Sequence, residues 1–294
     1  MFPYLKEVFF PNVSGLFWPS FLIGVGYLGR PIGGFFLGKL SDQNGRKNAF
    51  LLSILLMTFS TLAFAFLPSF QIGGFFSLVF LLFFRFMQGV SFGGEIPSST
   101  MFLNEIVPES RRGRALGWML SGTSIGAFMA TAVLSVLTKV FDEKALLQGA
   151  WRFPFFVGGV LGLTFFSFRK KSFQEPLKNA SSFRSSESRP VLFPFFCMGF
   201  FALAVMGHIY LPALLPLVFT FSLKDIYSAM SFGVAASFFW MVLSGYLMDL
   251  FNKRFLLFFS FFSFILSNSL FLFFVLKKGA IYLPMFFIQY LFWL

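Results

Sequence analysis

Three ionisable residues stand inside apolar stretches of a 294-residue chain: Arg30, Arg85 and Glu95. A charge surrounded by hydrocarbon is costly unless something pairs with it or uses it, so each is a candidate functional group. Arg85 and Glu95 lie ten residues apart on one apolar stretch, about 15 Å along a helix at 1.5 Å per residue. They cannot pair with each other, and each needs another partner. Gln88 follows Arg85 by three residues, and Ser91, Ser98 and Ser99 continue a polar stripe, which would face a bundle interior. A fixed guanidinium suits an anionic group of a bound small molecule, so Arg85 and Gln88 are candidate substrate ligands. A carboxyl can take up and return a proton, so Glu95 is the candidate for proton exchange. For Arg85 and Glu95 the alternative is a structural ion pair or hydrogen-bonded network between helices. Arg30 precedes Pro31 in what reads as a glycine-rich turn, and is either structural or a further substrate contact. His208, the single histidine, is either a hydrogen-bonded structural residue or a proton relay.

A second group of residues recurs. Gly38, Asp42, Arg46 and Lys47 are matched by Gly245, Asp249, Lys253 and Arg254, in the pattern G-x-x-x-D-x-x-x followed by two basic residues. Each copy closes one apolar span and leads into another. Internal repetition of this kind marks many secondary transporters. Asp42 follows the carboxyl end of its own helix, where the helix dipole is already negative. It therefore needs compensation, from Arg46 or from the amino end of a neighbouring helix. Gly33, Gly34 and Gly38 fall at a spacing that lets a second helix approach closely. Together these residues describe a releasable latch. The plainer reading is that Arg46 and Lys47 only mark the side of the membrane.

These groups need elements to position them, and composition names the setting. The chain is 57% hydrophobic and 12% charged, with 53 Phe, where soluble domains carry about 25% charged residues. One soluble core cannot hide that much apolar surface, so the bilayer is the solvent. The net charge of +12 does not indicate nucleic acid, because the basic residues sit in short loops between apolar runs. One Cys, Cys197, excludes an internal disulfide. One His argues against a His-built metal site. Residues 1–15 lack the features of a cleavable signal. Apolar runs long enough to cross about 30 Å of hydrocarbon occur at 16–38, 49–67, 75–102, 114–138, 152–168, 191–215, 226–248 and 255–276, and a ninth begins at 280. Lipid offers free backbone groups no partner, so these are expected to be helices. The odd-numbered connections (39–48, 103–113, 169–190, 249–254) carry 13 Lys or Arg against 5 in the even-numbered ones (68–74, 139–151, 216–225, 277–279), which places the odd set in the cytoplasm. The polar, Ser-rich segment 169–190 reads as a linker between bundles at 1–168 and 191–294.

"GRPIGGFFLGKLSDQNGRK" (29–47) resembles the signature loop after the second helix of major facilitator superfamily transporters. "RFMQGVSFGGEIPSSTMFLNEIVPESRRGRALGW" (85–118), "WRFPFFVGGVLGL" (151–163) and the "SFQEP" that follows resemble the metabolite:proton symporter branch, which includes proline/betaine, shikimate, citrate and 2-oxoglutarate carriers. The resemblance implies an all-α, polytopic, two-bundle membrane fold, with about nine of its twelve helices present. "YLKEVFFP" (4–11) resembles the outer end of the first helix, and the chain would stop in the tenth, so truncation at both ends is expected. The resemblance further implies a cytoplasmic gate in which Glu105, Pro108, Arg111 and Arg112 stand beside Asp42. Gly122, Gly126 and Ala130, four apart, make a packing face on the fourth span. The antiporter proline is absent from this glycine motif, which favours symport.

The expected function is therefore proton-coupled transport of a small organic acid or zwitterionic osmolyte by alternating access. The substrate group is Arg85, Gln88 and Arg30. Proton coupling falls to Glu95 and His208. The gate comprises Gly38, Asp42, Arg46, Glu105, Arg112, Asp249 and Lys253. No cofactor or metal is expected, only a proton gradient; the partners are substrate, protons and the lipid of a bacterial inner membrane, and the carrier is read as a monomer. The alternative is a non-transporting, truncated remnant of such a carrier. An intramembrane enzyme is the weakest reading, since the single histidine has no convincing serine partner and no paired-aspartate pattern occurs.

Overall fold

Lipid imposes two conditions on so apolar a chain. Backbone groups must pair within their own segment, and apolar side chains gain little by leaving hydrocarbon for one another. Helices answer the first condition. Close backbone contact and interhelical hydrogen bonds must answer the second.

The computed structural model describes residues 2–10, 17–172 and 223–252, with scattered helical residues between 255 and 269. The described elements are all helical: α1 (Phe2–Phe9), α2 (Phe17–Asn44), α3 (Arg46–Phe66), α4 (Phe70–Ile106), α5 (Arg112–Val140), α6 (Glu143–Gln148), α7 (Phe153–Ser172) and α8 (Leu223–Leu250), with 3-10 turns at Glu109–Arg111 and Ala150–Arg152. Among the described residues, four stretches are long and apolar enough to cross a membrane: Phe21–Asn44, Arg46–Phe66, Phe70–Ile106 and Ala150–Lys171. The expected spans at 191–215 and from 280, most of segment 169–190, and Cys197, His208, Lys253 and Arg254 lie outside the described residues.

Two compact units form, residues 1–107 with 130–178 and residues 108–129 with 179–294. In the first unit, α2, α3, α4 and α7 pack together. A cluster of Leu5, Val8, Phe9, Leu22, Phe64, Leu81 and Trp151 closes one end. Phe9 meets Trp151 edge to face, ring centroids 5.4 Å apart, and Arg152 Nη2 donates to the Leu67 carbonyl at 2.9 Å, tying α7 to the end of α3. Large apolar side chains on the outer faces stay exposed, Phe35, Phe66 and Phe75 among them, as helices bathed in acyl chains require.

The helices run further than the loop readings allowed. The stretch around Arg30 and Pro31 is not a turn: both residues sit inside α2, which continues to Asn44. A turn there would leave backbone groups unpaired in lipid, whereas a proline within a membrane helix is tolerated. The connection expected at 39–48 narrows to Gly45, whose φ of 92° is left-handed backbone that glycine adopts readily. Connection 139–151 holds the short α6 and a 3-10 turn.

Glycines bring α2 and α4 into backbone contact. A Cβ on Gly29 would lie 2.5 Å from the Phe86 carbonyl oxygen; one on Gly33 would run into the Val90 backbone, and one on Gly93 into the Arg30 carbonyl. Gly38 belongs to no such contact, since a Cβ there meets nothing within 4 Å among the described residues. The same holds for Gly122 and Gly126 on α5. That helix makes its close approach earlier, where Cβ atoms on Gly113 and Gly117 would lie 2.5 Å from the Gly245 carbonyl oxygen and 2.7 Å from that of Met241 on α8. Hydrogen bonds reinforce the packing: Ser91 Oγ donates to the Ser53 carbonyl at 2.6 Å, joining α4 to α3.

Gly33→Ala is therefore expected to cost about 1–3 kcal/mol through overpacking and to lower the unfolding temperature of the purified protein in detergent. Gly24→Ala, where a Cβ meets open space, should leave it unchanged or raise it slightly. Equal behaviour of the two variants in thermal unfolding would contradict the backbone contact.

Candidate functional site

The α2–α4 contact sets two arginines around one cavity. The cavity measures about 160 Å³ and is lined by Gly26, Tyr27, Arg30, Met57, Arg85, Gln88, Gly89 and Phe92. Gly26 and Gly89 leave it open; a Cβ on Gly26 would press on Arg85 Nε at 3.1 Å. Arg85 Nη1 donates to Gln88 Oε1 at 3.0 Å. Gln88 Nε2 donates in turn to Thr61 Oγ1 at 3.2 Å, and Thr61 donates to the Met57 carbonyl at 2.8 Å. This relay fixes the Gln88 amide and points its oxygen at the guanidinium. Arg85 Nε is buried and has no hydrogen-bond partner among the described residues. Arg30 lies between two rings, its guanidinium carbon 3.8 Å from the Tyr27 centroid and 4.3 Å from that of Phe92, a cation–π arrangement. The three expected ligands, Arg85, Gln88 and Arg30, thus share one cavity. Tyr27, Phe92 and Thr61 join them without having been singled out from sequence. Tyr27 could have been, since it precedes Arg30 by three residues and so shares its helix face.

Glu95 stands further along α4, half-buried, and the charge that acts on it is Arg169 of α7. Arg169 also packs over the Phe50 ring at 4.8 Å. The polar stripe is real: Ser91 and Ser98 are both buried.

The two copies of the repeated motif solve the same electrostatic problem differently. Asp42, in the last turn of α2, accepts from Arg46 Nη1 at 2.9 Å. The same guanidinium donates to Ser41 Oγ at 3.1 Å and through Nε to Glu105 Oε1 at 3.2 Å. Asp42, Arg46 and Glu105 so tie three elements at one end. Asp249, at the end of α8, instead receives the amino end of α5. It accepts from the Gly113 and Arg114 backbone N–H groups at 2.7 and 3.1 Å, and from Arg114 Nε at 2.9 Å. A carboxylate at a helix amino terminus is favoured by the dipole. The basic partner is Arg114, which was not singled out from sequence; the signal for it was the second aspartate, which needs a helix amino end or a base. Ser124 and Ser237 hydroxyls meet at 2.9 Å between α5 and α8.

Two G-x-S-x-G strings, at 89–93 and 122–126, lie inside α4 and α5. Neither forms the strand-to-helix turn of a hydrolase nucleophile elbow.

The family model of the Major Facilitator Superfamily matches residues 2–293. The chain belongs to the major facilitator superfamily. Members are multi-pass membrane transporters, not enzymes. Among curated relatives, the alpha-ketoglutarate permease of Escherichia coli K12 is 34% identical over 163 residues, covering 54% of this chain and 38% of that protein. The glycine betaine/proline/ectoine/pipecolic acid transporter OusA of Dickeya dadantii is 33% identical over 54% of this chain and 32% of its own length. The alignments thus span well under half of these relatives' length. Among solved structures, the proton:xylose symporter XylE superposes with a TM-score of 0.79 at 17% identity, over 99% of this chain and 74% of that one. That likeness concerns the fold, and it agrees with the all-helical architecture expected of the facilitator family.

The two acidic clusters should differ in weight. Arg46–Asp42 is an exposed pair, with the Asp42 side chain 69% exposed, and such pairs contribute about 0.2–1 kcal/mol. The Asp249 side chain is 6% exposed, and charge-assisted hydrogen bonds of that kind contribute about 1.5–3 kcal/mol. In denaturant or thermal unfolding, Asp249→Ala is expected to destabilise more than Asp42→Ala. The opposite ranking would refute the assignment.

Proposed function

We propose that the chain is a proton-coupled secondary transporter for a small organic acid or zwitterionic osmolyte, working by alternating access. The observation that carries this reading is the pair of arginines facing one cavity among helices that cross lipid. Buried fixed charge is costly there and is retained where a ligand uses it. Arg85 binds an anionic group of the substrate, held in register by the Gln88–Thr61 relay, and Arg30 stands opposite. Glu95, under the influence of Arg169, exchanges the proton. The relatives that carry alpha-ketoglutarate, or betaine and proline, in their names support both substrate classes. The XylE neighbour, titled a proton:xylose symporter, supports proton coupling by analogy.

Asp42, Arg46 and Glu105, and separately Asp249 with the amino end of α5, serve as releasable ties on the cytoplasmic side. Release must be inexpensive for a carrier to cycle, and clusters of one to three charged hydrogen bonds meet that need. His208 and Lys253 complete the proposed coupling and gate groups. The chain sits in a bacterial inner membrane as a monomer. Bundles at 1–168 and 191–294 are joined by a cytoplasmic linker at 169–190, and the proton gradient drives the cycle without a cofactor.

The test is uptake into proteoliposomes under an inward proton gradient, with labelled 2-oxoglutarate, proline and glycine betaine. Accumulation of at least one, abolished by a protonophore, is expected. Arg85→Ala should lower that uptake about tenfold or more, the loss of one charge-assisted contact. Glu95→Gln should retain substrate exchange while losing gradient-driven accumulation. Failure to accumulate any of the three by the correctly inserted chain would overturn the proposal.

A further inference from the structure

We infer that the cavity among α2, α3 and α4 selects a small dianion, a molecule with two carboxylates, over a zwitterionic ammonium compound. This rests on the transport reading above and narrows its substrate class. Four observations carry it. First, among the described residues the lining contains two guanidinium groups and no carboxylate: its other members are Gly26, Tyr27, Met57, Gln88, Gly89 and Phe92. Second, the two arginines share this cavity, and the charge of Arg30 acts unfavourably on that of Arg85. A ligand with two negative charges removes that repulsion, and a cationic group adds to it. Third, the aromatic faces that could hold a quaternary ammonium are taken. Tyr27 and Phe92 already lie against Arg30, at 3.8 and 4.3 Å, so these two rings do not form a free cage for a second cation. Arg30 also hydrogen-bonds Tyr27, and a carboxylate would take the in-plane N–H groups that remain on its planar fork. Fourth, Arg85 has a buried Nε with no partner among the described residues while its Nη1 is held by Gln88. That is one fixed donor and one waiting for an acceptor.

Size agrees. A cavity of about 160 Å³ holds the equivalent of about five waters at roughly 30 Å³ each, room for a chain of about four carbons with a carboxylate at each end. One carboxylate would take the Arg85 Nε, and the other the edge of Arg30.

The inference is tested by equilibrium binding of succinate, acetate and glycine betaine to the purified chain in detergent, read by calorimetry. Succinate is expected to bind about tenfold or more tightly than either of the others, the gain from a second charge-assisted contact. Arg30→Gln should cost succinate about that same factor while leaving acetate within about threefold. Arg30→Lys, which keeps the charge, should preserve the preference for succinate over glycine betaine; it also serves where the glutamine variant fails to fold. Glycine betaine binding as tightly as succinate would overturn the dianion inference and leave the transport reading standing. Binding of none of the three would overturn the inference, and the uptake assay separately decides the transport reading. Arg30→Gln with unchanged succinate affinity would also overturn it.

Discussion

Backbone contact between α2 and α4 is the constraint on which the described site depends. In lipid the usual drive to bury apolar side chains is nearly absent, so helices hold together through close approach and hydrogen bonds. Gly29, Gly33, Gly89 and Gly93 permit that approach, each at a place where a Cβ would meet backbone of the other helix. The contact does more than join two helices. It carries Arg30 and Arg85 to the same cavity, and Gly26 and Gly89 keep its walls free of side chains. A looser crossing would separate the arginines, and each would then need an acid of its own.

The cavity is an unbalanced electrostatic object. Two guanidinium groups are held by neutral partners, rings for Arg30 and an amide for Arg85. Neutral hydrogen bonds and cation–π contacts offset part of the desolvation of a cation, and a counter-charge would offset more. In the proposed reading the remaining demand for negative charge falls on a ligand. The charged ends of the helices follow the opposite logic. There, Asp42, Arg46 and Glu105 are matched against one another, and Asp249 against a helix amino end and Arg114. Opposite charges in direct contact suit the tie proposed for the helix ends, and the like charges of the cavity suit the proposed ligand site.

Much of this was legible in the sequence. Apolar run lengths gave the helices, and the resemblance carried by residues 29–47 and 85–118 gave the family. The rarity of charge within those runs singled out Arg30, Arg85 and Glu95. Other features depended on distance. The turn read at Arg30–Pro31 became helix, because lipid penalises unpaired backbone more than a helix penalises one proline. Gly38, Gly122 and Gly126 have small-residue spacing but meet no neighbour among the described residues, whereas Gly113 and Gly117 carry the contact with α8. Spacing marks a smooth face on a helix; the partner decides which smooth face is used. That Arg114 would stand beside Asp249 was not legible for a related reason. A helix amino terminus is fixed by where the backbone turns, and in "ESRRGR" three basic residues compete for that place. Thr61, far from Arg85 in sequence, left no local signal at all.

The most direct measurement is the electrostatic sign of the cavity. With Cys197 replaced by serine, Met57→Cys would place one thiol in the lining. Its rates of modification by negatively and positively charged thiosulfonates of similar size can then be compared at low ionic strength. A cavity bearing two unneutralised guanidinium groups predicts that the anionic reagent reacts faster by roughly tenfold, and that the advantage shrinks when Arg30 and Arg85 become glutamine. Equal rates, or faster reaction with the cationic reagent, would contradict it.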